Sequence, residues 1–221
     1  GIEQKEGDVD RAVATLTEAA ECYRSHDDAA GLGEALRQRG FVELFGGRMG
    51  EAEASAGEAL AAFEEVSDRS GQAWALQNLA WIAFVDGDPE QAERRLAEAI
   101  AKFEDIRDKG GLSWAYGLMA WIKFRLGDTA AADALVDRVL PEARERGDQW
   151  GEGMMLILQS VMRLWSGRAR EAHEIAQTAI ANFRRIEDVF GEVQALSPAG
   201  RSLIALGQVE QGFSVLEEML G

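Results

Sequence analysis

Along this chain small and large apolar residues recur at helical spacing, in blocks that return every 40 residues. One column reads Ala92, Leu96, Ala99, Ile100 and Phe103; it returns as Ala52, Ala56, Ala59, Leu60 and Phe63, and as Ala172, Ala176, Ala179, Ile180 and Phe183. Residues three, four and seven apart share one face of an α-helix, so each column predicts an amphipathic helix, termed helix B. A second kind of block, as in Trp74, Leu76, Leu79, Ala80, Ile82 and Phe84, predicts a more apolar helix A. No stretch alternates apolar and polar residues as a half-buried strand does, so the chain reads as all-α with about eleven helices.

Two glycine ladders punctuate the blocks. Gly7, Gly47, Gly87, Gly127, Gly167 and Gly207 precede helix B, and Gly31, Gly71, Gly111, Gly151 and Gly191 open helix A. In Gly87-Asp88-Pro89 the glycine can take the left-handed conformation that ends one helix, Asp88 can cap the next, and Pro89 suits the first helical position. Gly7-Asp8 and Gly127-Asp128 carry similar punctuation. At a rise of about 1.5 Å per residue, two helices of some 16 residues and their turns fill the period. The predicted unit is therefore an antiparallel helical hairpin, and the array is expected to form one elongated domain. The chain opens on Gly1 at the tail of a helix and ends on Leu220 and Gly221 inside another, with Phe213, Leu216 and Met219 on one stripe, which suggests a piece of a longer protein.

Charge divides the two helix types. The 39 acidic and 23 basic residues give a net charge of -16, which repels a phosphate backbone and argues against direct nucleic-acid binding. The five helix A segments (31–46, 71–86, 111–126, 151–166 and 191–206) hold five acidic and six basic residues, so a net -17 falls on helix B, the turns and the ends. The least polar stretch, Gln72 to Val85, is too short to span a bilayer, and no start resembles a signal peptide. A single cysteine, Cys22, allows no internal disulfide, and His26 and His173 are too distant in sequence to suggest a metal site. The expected protein is cytoplasmic and not an enzyme, with no cofactor and no metal: neither histidine has a nucleophile at readable spacing, and no glycine loop is shaped for phosphate.

The residues that recur in register resemble the tetratricopeptide repeat: Gly87 and Asp88, then Ala92 and Ala99, with Leu79 and Ala80 or Met119 and Ala120 on helix A. The resemblance runs from Gly7 to about Gly221, with a 40-residue period in place of that repeat's shorter form. In this longer form it is similar to arrays in bacterial multidomain regulators, among them maltose-regulon-activator-like proteins, signal-transduction ATPases and cyclase-linked proteins. A period near 40 also suits HEAT-type repeats, but the small-residue columns and glycine turns fit the tetratricopeptide pattern better.

The resemblance implies a right-handed superhelical solenoid whose concave face is lined by helix A. Its groove positions fall on Glu34, Arg37, Phe41 and Phe45; on Trp74, Gln77, Trp81 and Val85; on Trp114, Gly117, Trp121 and Arg125; on Met154, Ile157, Val161 and Trp165; and on Gln194, Ser197, Arg201 and Ala205. The candidate ligand-binding residues are Trp74, Gln77, Trp81, Trp114, Trp121, Arg125, Phe41 and Trp165. Trp74 and Trp81 lie seven residues apart on one helical face, and Trp114 and Trp121 repeat that spacing. Two readings stand open for these rings, a binding wall or packing between helices. Arg37, Arg125 and Arg201 are either groove contacts or solubilising charges, and Pro141 and Pro198 are expected to bend or divide their helices.

The function read here is a non-catalytic binding or scaffold module. It holds a peptide or protein segment, inside its own chain or from elsewhere, as part of a larger bacterial regulator of signalling or transcription. The alternative is a small-molecule (inducer) sensor, and apolar array ends could also support self-association. No membrane partner is expected.

Overall fold

A computed structural model describes residues 2–220, with side chains for residues 8–219. The expectations placed on Gly1 and Gly221 lie outside it. Among the described residues there are eleven α-helices: α1 (Ile2–Ser25), α2 (Ala29–Phe45), α3 (Met49–Glu65), α4 (Arg69–Asp86), α5 (Pro89–Asp105), α6 (Lys109–Arg125), α7 (Thr129–Arg146), α8 (Gln149–Trp165), α9 (Ala169–Arg185), α10 (Val189–Ala205) and α11 (Val209–Glu217), followed by a short 3-10 turn, Glu218–Leu220. Even-numbered helices are the A type and odd-numbered ones the B type. The helices gather into two compact units, Gly1–Ala115 and Tyr116–Gly221.

The turns explain why helices start and stop where they do. Each turn from A to B ends on a left-handed glycine at Gly47, Gly87, Gly127, Gly167 or Gly207. The amide after that glycine returns to a carbonyl of the preceding helix, as Asp88 does to Ala83 at 2.9 Å, which satisfies an otherwise orphaned acceptor. The turns from B to A place a side chain in the same strained conformation, at Asp27, Ser67, Arg107 and Glu187, with glycine only at Gly147. An aspartate then caps every A helix: Asp28, Asp68, Asp108, Asp148 and Asp188 each accept from the amide three residues on.

The second glycine ladder therefore does not open helix A. The A helices begin two residues before it, and these glycines sit inside the first turn. What demands glycine there is a ring. A Cβ at Gly71 would stand 2.2 Å from the Phe63 ring, at Gly111 2.2 Å from Phe103, and at Gly191 2.1 Å from Phe183. The aromatic eight residues earlier packs against the bare backbone, and its own carbonyl accepts the amide of the capping aspartate, as Phe103 does from Asp108 at 2.9 Å. At Gly151 the aromatic is replaced by Ala143, and the nearest neighbour is the Asp148 carboxylate. The alanine columns of helix B are fully buried at Ala52, Ala56, Ala92, Ala99, Ala132, Ala172 and Ala176, where a methyl group lets helices approach closely.

Three expectations are corrected. Gly7-Asp8 makes no turn, since α1 is continuous through it. Pro141 and Pro198 divide neither α7 nor α10, which continue through them. The stripe on α11 splits: Leu216 and Met219 are half-buried, while Phe213 is 55% exposed.

Candidate functional site

In the first unit the A helices α2 and α4 pack side by side and bring their corresponding positions together. Phe41 and Phe45 stand one helical turn apart with ring centres 4.7 Å apart in an edge-to-face contact, and each is 42% exposed. Trp74 is half-buried, edge-to-face with Phe103 at 5.1 Å. Beside it lies a cleft of about 390 Å³, lined among others by Glu34, Arg37, Phe63, Asp68, Ser70 and Trp74. Arg37 is paired within its own helix, its guanidinium gripping Glu34 through two bonds of 2.9 and 2.6 Å. Burial works to raise the Glu34 pKa, but the bonds from Arg37 and Gln38 outweigh it and hold the carboxyl below its ordinary value.

Gln77, expected to fix a polar group in the groove, is 6% exposed, and its Oε1 has no hydrogen-bond partner. Trp81 packs one side against the core around Leu44, Ala56 and Ile82 and remains half-buried. Val85 is 48% exposed, and Trp114 is half-buried.

In the second unit Trp121 packs against the core that includes Val136, Leu156 and Ala176, and its Nε1 is buried without a partner. Arg125 is exposed. The largest departure from ordinary burial is Trp165, 77% exposed at the end of α8, held edge-to-face on Phe124 with centres 6.0 Å apart. These two rings and Met162 line a second cleft of about 450 Å³, with Arg163 and Arg168 at its rim. Burial disfavours charge on Arg163, but its bonds to Asp133 and Glu171, both 3.0 Å, raise its pKa above the ordinary value. Trp150 also belongs to α8, so all six tryptophans lie on A helices.

One juxtaposition was hidden in the sequence. His173 Nδ1 lies 3.3 Å from the Ser202 hydroxyl, 29 residues on. Ser202 is fully buried and donates its proton to the Ala199 carbonyl at 2.8 Å, so the pair is a packing contact between α9 and α10. Among the described residues no group of three or more His, Cys, Asp or Glu side chains is placed to hold a metal ion, and no helix is long and apolar enough to cross a membrane.

Residues 31–105 match the family model described as Tetratricopeptide repeat. That span runs from the first turn of α2 to the end of α5, within the first unit. No curated protein matches the chain. Among solved structures the chain is similar to BtubC (BKLC) from P. vanneervenii, at 14% identity and a TM-score of 0.68, over 99% of this chain and 89% of that one. It is also similar to the nearly identical TPR-like repeats of a Podosopora anserina putative kinesin light chain, at 13% identity and a TM-score of 0.59, over 84% of this chain and 92% of that one. At such identities the likeness establishes the fold, a TPR-like array of helical hairpins. Repeats of this kind generally serve as protein-interaction scaffolds.

Proposed function

We propose that this chain is a non-catalytic scaffold that holds a peptide or protein segment against the aromatic face of its A helices. The observation that carries this reading is the exposed aromatic surface on those helices, Phe41, Phe45, Phe190 and above all Trp165, against Tyr23 and Phe213 on the B helices, while the acidic excess lies elsewhere. An indole left mostly in water gives up several kcal/mol of available burial, on the order of 25 cal/mol per Å², and a rigid ring of this kind suits an interface anchor. Trp74, Trp81, Trp114 and Trp121 extend the same character as half-buried rings. The setting we infer is a larger cytoplasmic regulator of a bacterium, with the segment supplied by the same chain or by a partner.

Photo-crosslinking tests this directly. A benzophenone amino acid at Phe41 or Trp165 should give crosslinks to a polypeptide in cells, and the same group at Glu98 on the outer face of α5 should not. Equal yields at all positions, or none at Phe41 and Trp165, would sink the proposal. If tryptophan fluorescence saturates with a compact metabolite and with no peptide, the inducer-sensor reading replaces it.

A further inference from the structure

The cleft beside Trp165 joins exposed apolar surface to a local excess of positive charge. Its apolar lining is Phe124, Met162 and the indole itself, which stays 77% exposed although tryptophan is highly buried on average. Arg168 lines this cleft and also a second one of about 540 Å³, which holds Arg170 and Leu206, itself 37% exposed. The two clefts share Arg168, so a guanidinium stands between two apolar stretches. Charge here differs in sign from the rest of the second unit. Residues 117–133, 157–171 and 197–208, the C-terminal halves of α6, α8 and α10 and the chain that follows each, hold six basic and three acidic residues; the rest of the unit holds five basic and twelve acidic. Those three acids are already engaged: Asp133 and Glu171 bind Arg163, Glu171 also meets Arg168, and Asp128 caps α7. Half of the Arg168 side chain remains in water, and the exposed Arg170 forms no ion pair among the described residues.

We propose that this edge of the second unit binds an acidic polypeptide segment with an apolar centre. A leucine-sized or aromatic side chain enters the cleft against Trp165 and Phe124, and flanking Asp or Glu carboxylates pair with Arg168 and Arg170. The apolar side chain removes indole surface from water, and the carboxylates meet guanidiniums in surplus over local acid. Charge selects the occupant, since a basic segment is repelled here and a neutral one forgoes both arginines. An anionic bilayer also carries negative charge, but a recessed cleft of about 450 Å³ suits a side chain better than a flat surface, and the net charge of -16 opposes such a membrane. This deepens the scaffold reading and rests on it, by naming the composition of the bound segment.

The test uses the whole chain and the blocked peptide Ac-Glu-Glu-Leu-Glu-Glu-NH2, with analogues carrying glutamine or lysine in place of every glutamate, read by NMR at the Trp165 indole N–H, assigned through Trp165→Phe. The acidic peptide should shift that signal saturably. The glutamine analogue should bind roughly five- to tenfold more weakly, and the lysine analogue should not bind. Alanine in place of the central leucine should cost the acidic peptide roughly tenfold. Arg168→Gln and Arg170→Gln should each weaken the acidic peptide roughly two- to fivefold and leave the glutamine analogue unchanged, which separates lost charge from lost fold. No shift with the acidic peptide, equal binding of the glutamine analogue, or indifference to both variants would each overturn the proposal. So would a Trp165 signal that moves on dilution of the protein alone, or with phosphatidylserine–phosphatidylcholine vesicles but not with the peptide, because the occupant is then a second copy or a membrane. If a benzophenone at Phe41 still crosslinks a polypeptide under those outcomes, the scaffold reading survives and only the acidic segment fails. Absence of crosslinks at both Phe41 and Trp165 removes both.

Discussion

Replacing Gly111 by alanine places a methyl group 2.2 Å from a Phe103 ring that is fully buried. Ordinary contact begins near 3.4 Å, so the ring must retreat by roughly 1.2 Å into a close-packed core. Forced overpacking of this kind costs about 1–3 kcal/mol, against which alanine in place of glycine inside a helix returns about 0.5–1 kcal/mol. A net loss of about 1–2 kcal/mol is expected for Gly111→Ala. Gly71→Ala and Gly191→Ala should lose at least as much, because Phe63 is also held by Gly33 and Phe183 by Gly153. Gly151→Ala is the internal control. Its nearest obstacle is the Asp148 carboxylate, which can rotate at a partial loss of its cap of about 0.5–1 kcal/mol, so the helix gain roughly cancels it. Urea unfolding followed by far-ultraviolet circular dichroism compares the four variants. The reasoning fails if Gly151→Ala is destabilised as much as the others, since the glycine would then be required by the turn and not by the ring.

Four further outcomes follow from the same geometry. Ser67→Gly, Arg107→Gly and Glu187→Gly relieve left-handed backbones at φ +57, +55 and +56 and should be neutral to about 1 kcal/mol more stable, whereas Gly87→Ala at φ +94 should lose about 1 kcal/mol, both read from denaturation midpoints. Gln77→Leu removes a buried unpaired oxygen and should leave the free protein as stable as before or more so. Because Glu34 titrates below its ordinary 4.5 in the folded protein, its pairing with Arg37 contributes above that pH and is lost as pH falls through the lowered value; Glu34→Gln should flatten that part of the stability profile. Trp165→Ser should change the thermal midpoint little, since three quarters of the ring is already in water, while reducing crosslinking of a partner at Phe124.

Much of the fold was legible because its causes are local. The 40-residue period, the two helix types and the A-to-B turns all rest on helical spacing, on glycine's access to positive φ and on aspartate capping, each confined to a few residues. The site was legible only as a set of positions. Trp74, Trp81, Trp114 and Trp121 share a helical face by spacing, but how far each ring packs depends on neighbours 40 residues away, and all four end half-buried. Arg37 looked available because its partner, Glu34, is one turn away on its own helix; that spacing was visible, and a three-residue acid–base pair could have flagged it. Ser202 and His173 carry no spacing signal, since only packing of α10 on α9 unites them.

The second glycine ladder shows where sequence stops and tertiary structure begins. By itself the sequence determined that a glycine recurs at 31, 71, 111, 151 and 191, and that an aromatic stands eight residues before it except at Ala143. It also determined the all-α class and the segregation of acid from aromatic surface. Only the tertiary structure decided that those glycines lie inside the helix, that rings from the preceding helix rest on four of them, and that Trp165 faces water while Gln77 is sealed without a partner. The reason is physical. Helix signals arise from hydrogen bonds three or four residues long, whereas the need for a missing Cβ and the exposure of a ring are set by atoms that reach the same place only after the chain has turned back on itself.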